Sequence, residues 1–314
     1  MNKLPVTISP HLHCGRSSRS IMLDVIIALT PAIIASTIIF GFRALMLILV
    51  TVAACVMSEY VTRKILKRPD TIYNLTAVVT GILLALNLPV TLPFWMAALG
   101  GAIAIVIVKE FFGGVGQNFV NPAITARIIL LMSFASQMST WQPPFNYRMA
   151  AGVDVISSAT YFSASQSGQE IPSLLDMFLG IRAGSLGETC ALALLIGGVY
   201  LIARKVISPI IPLCFIGTVA VLSTLLGGDL LYQVMSGGLL LGAFFMATDY
   251  TTSPVTRNGK IIFGIGCGIV TVLIRFFAAL PEGVSYAILL MNILVPHIEN
   301  LTIPKVFGEE AKAK

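Results

Sequence analysis

Charge is what this 314-residue sequence has least of. Only 11% of its residues are charged, 56% are hydrophobic, and the mean hydropathy is +0.91. So few charges cannot cover a water-soluble fold around that much apolar matter, and the composition points to the bilayer as solvent. Histidine is scarce: His11, His13 and His297 are all there is, and none lies near the hydroxyl-rich stretches. That argues against a Ser/His/Asp hydrolase. The five cysteines, Cys14, Cys55, Cys190, Cys214 and Cys267, show no CxxC or Cys/His spacing, so no disulfide framework or metal centre is expected. Four of them sit in or beside apolar runs, where a thiol behaves as a small hydrophobe. No G-x-G-x-x-G follows a strand, so the chain by itself should not bind a dinucleotide.

What the sequence does have is apolar runs of membrane length. A spanning helix needs roughly 20 predominantly apolar residues. Such runs lie near 21–41, 44–62, 94–112, 119–138, 185–203, 209–226, 260–279 and 283–300, with two shorter ones at 74–88 and 233–248. The basic, polar start followed by a long apolar run predicts a retained first helix. If all ten runs cross and the N-terminus is cytoplasmic, one face collects most of the cations. These are Lys3, Arg16, Arg19, the cluster Arg63, Lys64, Lys67 and Arg68, then Lys109, Arg204, Lys205, Arg257, Lys260, Lys305, Lys312 and Lys314. The other face receives Arg43, Arg148 and Arg182. This is the positive-inside asymmetry, so the formal net charge of +6 marks orientation and no nucleic-acid partner is expected.

The halves resemble each other. "TGILLALNLPVTLP" precedes a span ending "IVIVKEFFGG", and "GGLLLGAFFMATDYTTSP" precedes one ending "IVTVLIRFFAALPEG". Five crossings per half would invert the second copy. The expected fold is therefore an all-α integral membrane protein with ten transmembrane helices. They form an inverted repeat of two five-helix halves, the third and eighth helices being short. Residues 1–138 would form the first half, 139–184 an external loop, and 185–314 the second half, with both termini cytoplasmic.

That loop carries "DVISSATYFSASQSG", residues 154–168. Ser157, Ser158 and Thr160 offer hydroxyls, with Asp154 upstream, but a Thr hydroxyl needs an outside activator to act as a nucleophile. On physics alone these groups could equally cap a helix or hydrate the loop. Arg182 and Arg148 are the nearest external cations, able to meet a phosphate or merely to snorkel, and Glu188 stands at the start of the sixth span. Asp24, Glu59, Glu110, Arg127, Asp249 and Arg275 lie within or at the ends of spans, where ionisable groups count as candidates for ion passage.

The heptad Asp154 to Thr160, "DVISSAT", resembles the acceptor site of flavin transferases, in which the last Thr is esterified through the phosphate of FMN. Together with "SPHLHCGRSSRSIMLDVIIALTPA", "GGVGQNFVNPA", "FLGIRAGSLGETCALALLIGG" and "GAFFMATDYTTSPVTRNGKIIFG", it makes nearly the whole chain similar to the RnfD/NqrB family. Its members are the D subunits of Rnf ferredoxin:NAD⁺ oxidoreductases and the B subunits of Na⁺-translocating NADH:quinone oxidoreductases. The family commonly has Gly where Val155 and Ser158 stand.

The resemblance implies FMN joined to Thr160, with Asp154 recognised by a transferase and Ser157 and Ser158 among the small neighbours that let it approach; Arg182 or Arg148 could then face the flavin phosphate or ring. It also implies a second, non-covalent flavin (riboflavin) in some relatives, near which Arg127 is a candidate. Implied partners are the other complex subunits, especially the external flavoprotein subunit, together with membrane lipid, Na⁺ or H⁺. The implied place is the bacterial or archaeal cytoplasmic membrane, with the flavin loop outside. In this reading the chain relays electrons between ferredoxin and NAD⁺, coupled to ion translocation, and is not catalytic alone. The alternative is a channel or secondary transporter of urea-channel-like architecture without redox activity.

Overall fold

The computed structural model describes residues 16–145, 147, 173–236, 238–278 and 283–303. Among them every regular element is helical, as the apolar runs predict. Helix α1 (Ser18–Phe40) starts where the Ser17 hydroxyl accepts from Ser20 N at 3.2 Å. It stops at Gly41, whose φ of 79° a side chain would resist. Next come α2 (Phe42–Ile65) and a 3₁₀ turn (Ile72–Asn74). A short α3 (Thr76–Leu86) and α4 (Phe94–Ala102) follow. Beyond Ala102 the same helix continues in π winding over Ile103–Glu110. Helix α5 (Pro122–Ser133) is shorter than the 119–138 run suggests. Asn121 caps it by accepting from Ala123 N and Ile124 N, and Pro122 occupies the first turn, where its missing N–H costs nothing.

After α6 (Ala135–Met138), α7 (Leu174–Leu179) opens the second described stretch. It is followed by α8 (Ala191–Ala203), α9 (Ile210–Leu225) and α10 (Leu230–Met235). Helix α11 (Leu239–Leu241) runs into a second π segment, Gly242–Met246. Finally come α12 (Arg257–Phe277), capped by Thr256 at Gly259 N, and α13 (Val284–Thr302). Among the described residues four helices, α1, α2, α12 and α13, are long and apolar enough to cross a membrane. Four shorter apolar ones, α3, α5, α8 and α9, stand among them.

The packing pairs α1 with α8 and α5 with α13. Helix α2 packs on α3 and α4, while α9 packs on α12 and on the second π segment. Lipid tails are as apolar as leucine, so close backbone approach holds such pairs together. At Gly197 on α8, a Cβ would lie 2.1 Å from the Ala28 carbonyl oxygen of α1. At Gly268 on α12 it would lie 2.5 Å from Thr218 Cβ of α9. Both contacts exist only because these residues lack a side chain. Leu29, Leu47, Leu84, Leu86, Phe215 and Phe263 fill the core between the pairs.

Candidate functional site

A cavity of ≈ 250 Å³ opens at the end of the bundle that carries Arg16, Arg63 and Arg204. Its walls come from α1, α3, α5, α8, the end of the first π segment, the second π segment and the loop after it. Most of the lining is apolar: Met22, Val25, Val79, Leu83, Leu201, Phe244 and Phe245. Its polar groups are Ser18, Thr76, Thr80, Lys109, Asn118, Asn121, Thr248, Asp249, Tyr250 and Thr251. Ser18, Gly116 and Tyr250 are exposed at its rim, so the cavity reaches the surface. Burial pushes the Asp249 carboxyl above its ordinary value, while hydrogen bonds from Thr251 and Thr252 pull the other way.

Behind Lys109 lies a buried ionic chain whose geometry follows from the π winding. In an α-helix, neighbouring residues point about 100° apart. Here the wider turn, with Phe111 N bonded to Val106 O and Gly114 N to Lys109 O, brings consecutive Lys109 and Glu110 inward together. They meet Glu59 and Arg63, which share one face of α2 at i, i+4 spacing. Lys109 Nζ donates to Glu59 Oε1 at 3.0 Å and to Thr76 Oγ1 at 2.8 Å. Arg63 Nε donates to Glu110 Oε1 at 3.1 Å and stands 3.8 Å from Glu59 Oε1. Thr71 Oγ1 adds a bond to Glu59 Oε1 at 2.5 Å, and Arg63 Nη1 reaches Pro69 O at 2.6 Å. All four charged side chains are nearly or fully buried, and the charges alternate in sign along the chain. Such groups persist in an apolar interior only when paired. In the sequence Glu59 and Glu110 read as separate edge residues; the adjacent Lys-Glu at a span end is the one available sign of the pairing.

From the cavity floor a polar seam runs between the halves. Asn121 Nδ2 donates to Met246 O at 3.2 Å, and Asn87 Nδ2 donates to Leu83 O at 2.7 Å. Arg127 Nη1 donates to Ser285 Oγ at 2.6 Å and to Asn87 Oδ1 at 3.3 Å. Asn292, with its amide oriented to suit its neighbours, donates to Thr252 O and accepts from Asn121 N, both at 3.1 Å. The seam thus ties α3, α5, the second π segment and α13 together. Arg127 stands out in the sequence as a charge inside a span. Asn87, Ser285 and Asn292 do not, because neutral residues inside apolar runs carry no periodic signal.

The opposite end holds Arg43, Arg182 and Arg275. Arg43 Nε donates to Val90 O at 2.9 Å, and its guanidinium lies over the Phe94 ring. Arg182, 4% exposed, donates through Nη2 to Glu188 O and Met235 O, both at 2.7 Å. Arg275 donates to Gln233 O at 2.7 Å and to Ser236 O at 2.9 Å. Two guanidiniums from distant parts of the chain therefore satisfy carbonyls at the end of α10, a favourable place for cations. Arg182 thus braces this junction. Ser185 Oγ donates to Glu188 Oε2 at 3.0 Å, so Glu188 belongs to the same turn. Asp24, at the cavity end, accepts from Tyr200 and Arg204, and Tyr250 donates its hydroxyl to Val206 O. Asp154, Ser157, Ser158 and Thr160, with Arg148, lie outside the described residues. Among the described residues no group of His, Cys, Asp and Glu is arranged to hold a metal ion.

The model of the NQR2, RnfD, RnfE family matches residues 5–308. The D subunit of a Na⁺-translocating ferredoxin:NAD⁺ oxidoreductase complex from Acetobacterium woodii is 46% identical, the match covering 100% of both chains. The D subunit of a proton-translocating ferredoxin:NAD⁺ oxidoreductase complex from Clostridium ljungdahlii is 42% identical, over 98% of this chain and 97% of the relative. The D subunit of an ion-translocating oxidoreductase complex from Stutzerimonas stutzeri is 39% identical, over 94% and 93%. With a family match across almost its entire length and relatives this similar end to end, the chain belongs to the NQR2, RnfD, RnfE family.

Proposed function

We propose that this chain is a membrane subunit of an ion-translocating ferredoxin:NAD⁺ oxidoreductase complex, relaying electrons through flavin and coupling their flow to movement of Na⁺ or H⁺. The observation that carries the reading is the end-to-end similarity to the D subunits of such complexes. The chain is a multi-pass membrane protein, with its four long apolar helices packed among shorter ones. It acts beside the other subunits of the complex. Ten crossings in an inverted five-plus-five repeat are supported by the packing pattern, in which α1 answers α8, α5 answers α13, and α2 with α4 answers α9 with α12. With the cation-rich end in the cytoplasm, the 139–184 loop faces outside.

FMN joined through its phosphate to Thr160 would leave the isoalloxazine ring free to accept and pass on electrons. Asp154, Ser157 and Ser158 would serve the maturing transferase, and Arg182 would hold the base of the loop next to α8. The external flavoprotein subunit is the natural partner for exchange at that face. In this reading a second, non-covalent flavin would sit in the cavity at the cation-rich end; Arg127, the candidate for it in the sequence, is not in that wall and donates to Ser285 and Asn87 instead. The cavity is a little below the roughly 300–1,000 Å³ of small-molecule sites and open at its rim. Phe244, Phe245, Val79 and Leu83 give apolar walls for a flat ring, and Thr76, Lys109, Asn118 and Asn121 give hydrogen-bonding groups.

The test is the mass of the peptide containing Thr160, from protein made beside a flavin transferase. The expected result is a gain equal to FMN minus water, localised to Thr160 and absent in Thr160→Ala. An unmodified peptide despite an active transferase would remove the covalent flavin and put the channel or transporter reading first.

A further inference from the structure

We propose that Lys109 is a positioning residue that sets the reduction potential of the ligand in the cavity, favouring its electron-rich form. The inference rests on the reading that this cavity holds a non-covalent flavin.

Lys109 is the one cationic side chain in the cavity wall among the described residues, and it is only 4% exposed. An ammonium has three N–H donors. Two are committed, to Glu59 Oε1 and Thr76 Oγ1, and the third has no partner among the described residues. Thr76 lines the same cavity, so the ammonium is anchored at the wall with one donor left over. Its position is not adjustable by side-chain swing, because the two bonds fix Nζ from different helices. The π winding that aims Lys109 here also sends Glu110 to Arg63, and this decides the order of charges. Counting outward from the cavity, the chain reads Lys109, Glu59, Arg63, Glu110, so the positive member stands nearest the ligand. Asp249, the one carboxylate in the wall among the described residues, is engaged by Thr251 and Thr252.

Reduction of a flavin by two electrons and one proton leaves a net negative charge on the ring, and a second proton would be needed to cancel it. An ammonium at the wall favours the charged, reduced side of that couple over the neutral, oxidised one, all the more in an interior of low dielectric. The electrons come from the complex's own donor, so the proposal needs no added reductant. Lys109 would hold the ligand's potential up without touching the bonds that change.

The experiment uses the full-length chain carrying Thr160→Ala, so that covalent FMN does not contribute, with riboflavin as the probe. Redox titration of the bound flavin gives the potential, and fluorescence quenching gives the dissociation constant of the oxidised form. Lys109→Met alone would strand a buried carboxylate, so it is made with Glu59→Gln, and Glu59→Gln alone is the reference. Glu59→Gln should raise the potential, because it removes the compensating negative charge. Adding Lys109→Met should then lower it by at least a tenfold change in the preference for reduced over oxidised flavin, about 30 mV for a two-electron couple. Lys109→Arg should keep the potential near that of the parent. Opposite shifts from two neighbouring substitutions are not what general loosening of the site produces. A double variant with the same potential as Glu59→Gln alone, or equal loss of affinity for both flavin forms, overturns the proposal while leaving the flavin reading intact. Failure of the parent chain to bind riboflavin at all overturns both.

Discussion

Replacing Arg63 by Met tests whether the buried charges act as one unit. The guanidinium is 5% exposed, 3.1 Å from Glu110 Oε1 and 3.8 Å from Glu59 Oε1, and it also donates to Pro69 O at 2.6 Å. Met preserves much of the stem and removes the charge. The hydrogen bond to a charged partner is worth about 1.5–3 kcal/mol. Leaving the wholly buried Glu110 without it brings the expected cost to about 3–5 kcal/mol, a fall in melting temperature on the order of 10 °C. Because membrane proteins often unfold irreversibly, the comparison belongs at one fixed scan rate on detergent-purified protein.

Glu110→Gln and the double variant complete the cycle. If the charges are coupled, Arg63→Met with Glu110→Gln should melt above Arg63→Met alone, because the stranded carboxylate is gone. The coupling should be about 0.5–3 kcal/mol. A single variant that melts like the parent, or a double variant whose loss equals the sum of the two singles, would refute the reasoning.

Two further outcomes follow from close contacts. Gly197→Val should cost about 3 kcal/mol or more, since its Cβ would lie 2.1 Å from the Ala28 carbonyl oxygen and overpacking against backbone cannot relax by a rotamer change. Membrane yield and melting temperature read this, and parent-like values would mean that α1 and α8 are not held by that approach. Arg182→Lys should lose about 1.5–3 kcal/mol, because a single ammonium does not reproduce a planar guanidinium on Glu188 O and Met235 O. Limited proteolysis between α7 and α8 should then quicken; an unchanged cleavage rate would remove Arg182 from its bracing role.

Much of this architecture is legible in the order of the residues. Apolar length marks helices for a physical reason: backbone groups in lipid must be satisfied within the segment. Runs such as 21–41 and 260–279 therefore appear as α1 and α12 with ends shifted by a few residues. The ends move where local chemistry takes over, as at Asn121-Pro122, which delays α5. Cation placement separates Arg43 and Arg182 from Arg63 and Lys109, and the fold keeps these groups at opposite ends. The heptad ending at Thr160, proposed above as a flavin acceptor, rests on sequence resemblance alone and lies outside the described residues.

What the sequence could not carry is everything that depends on two distant segments meeting. Glu59 and Lys109 are 50 residues apart, and their pairing needs both the α2–α4 contact and the π turn that rotates Lys109 inward. Hydrophobic pattern does not encode that winding. Arg182 looks available for a ligand because its loop is polar, but folding turns it onto the carbonyls at the end of α10. The cavity itself has no local signature, because its wall is assembled from both halves of the chain. Sequence by itself determined which segments are apolar enough to form the helices of a membrane protein and which stretches carry the cations, since each follows from local composition. Tertiary structure alone decided which buried charges become partners and where the cavity lies, because pairing energies in an apolar interior depend on distances that only packing sets.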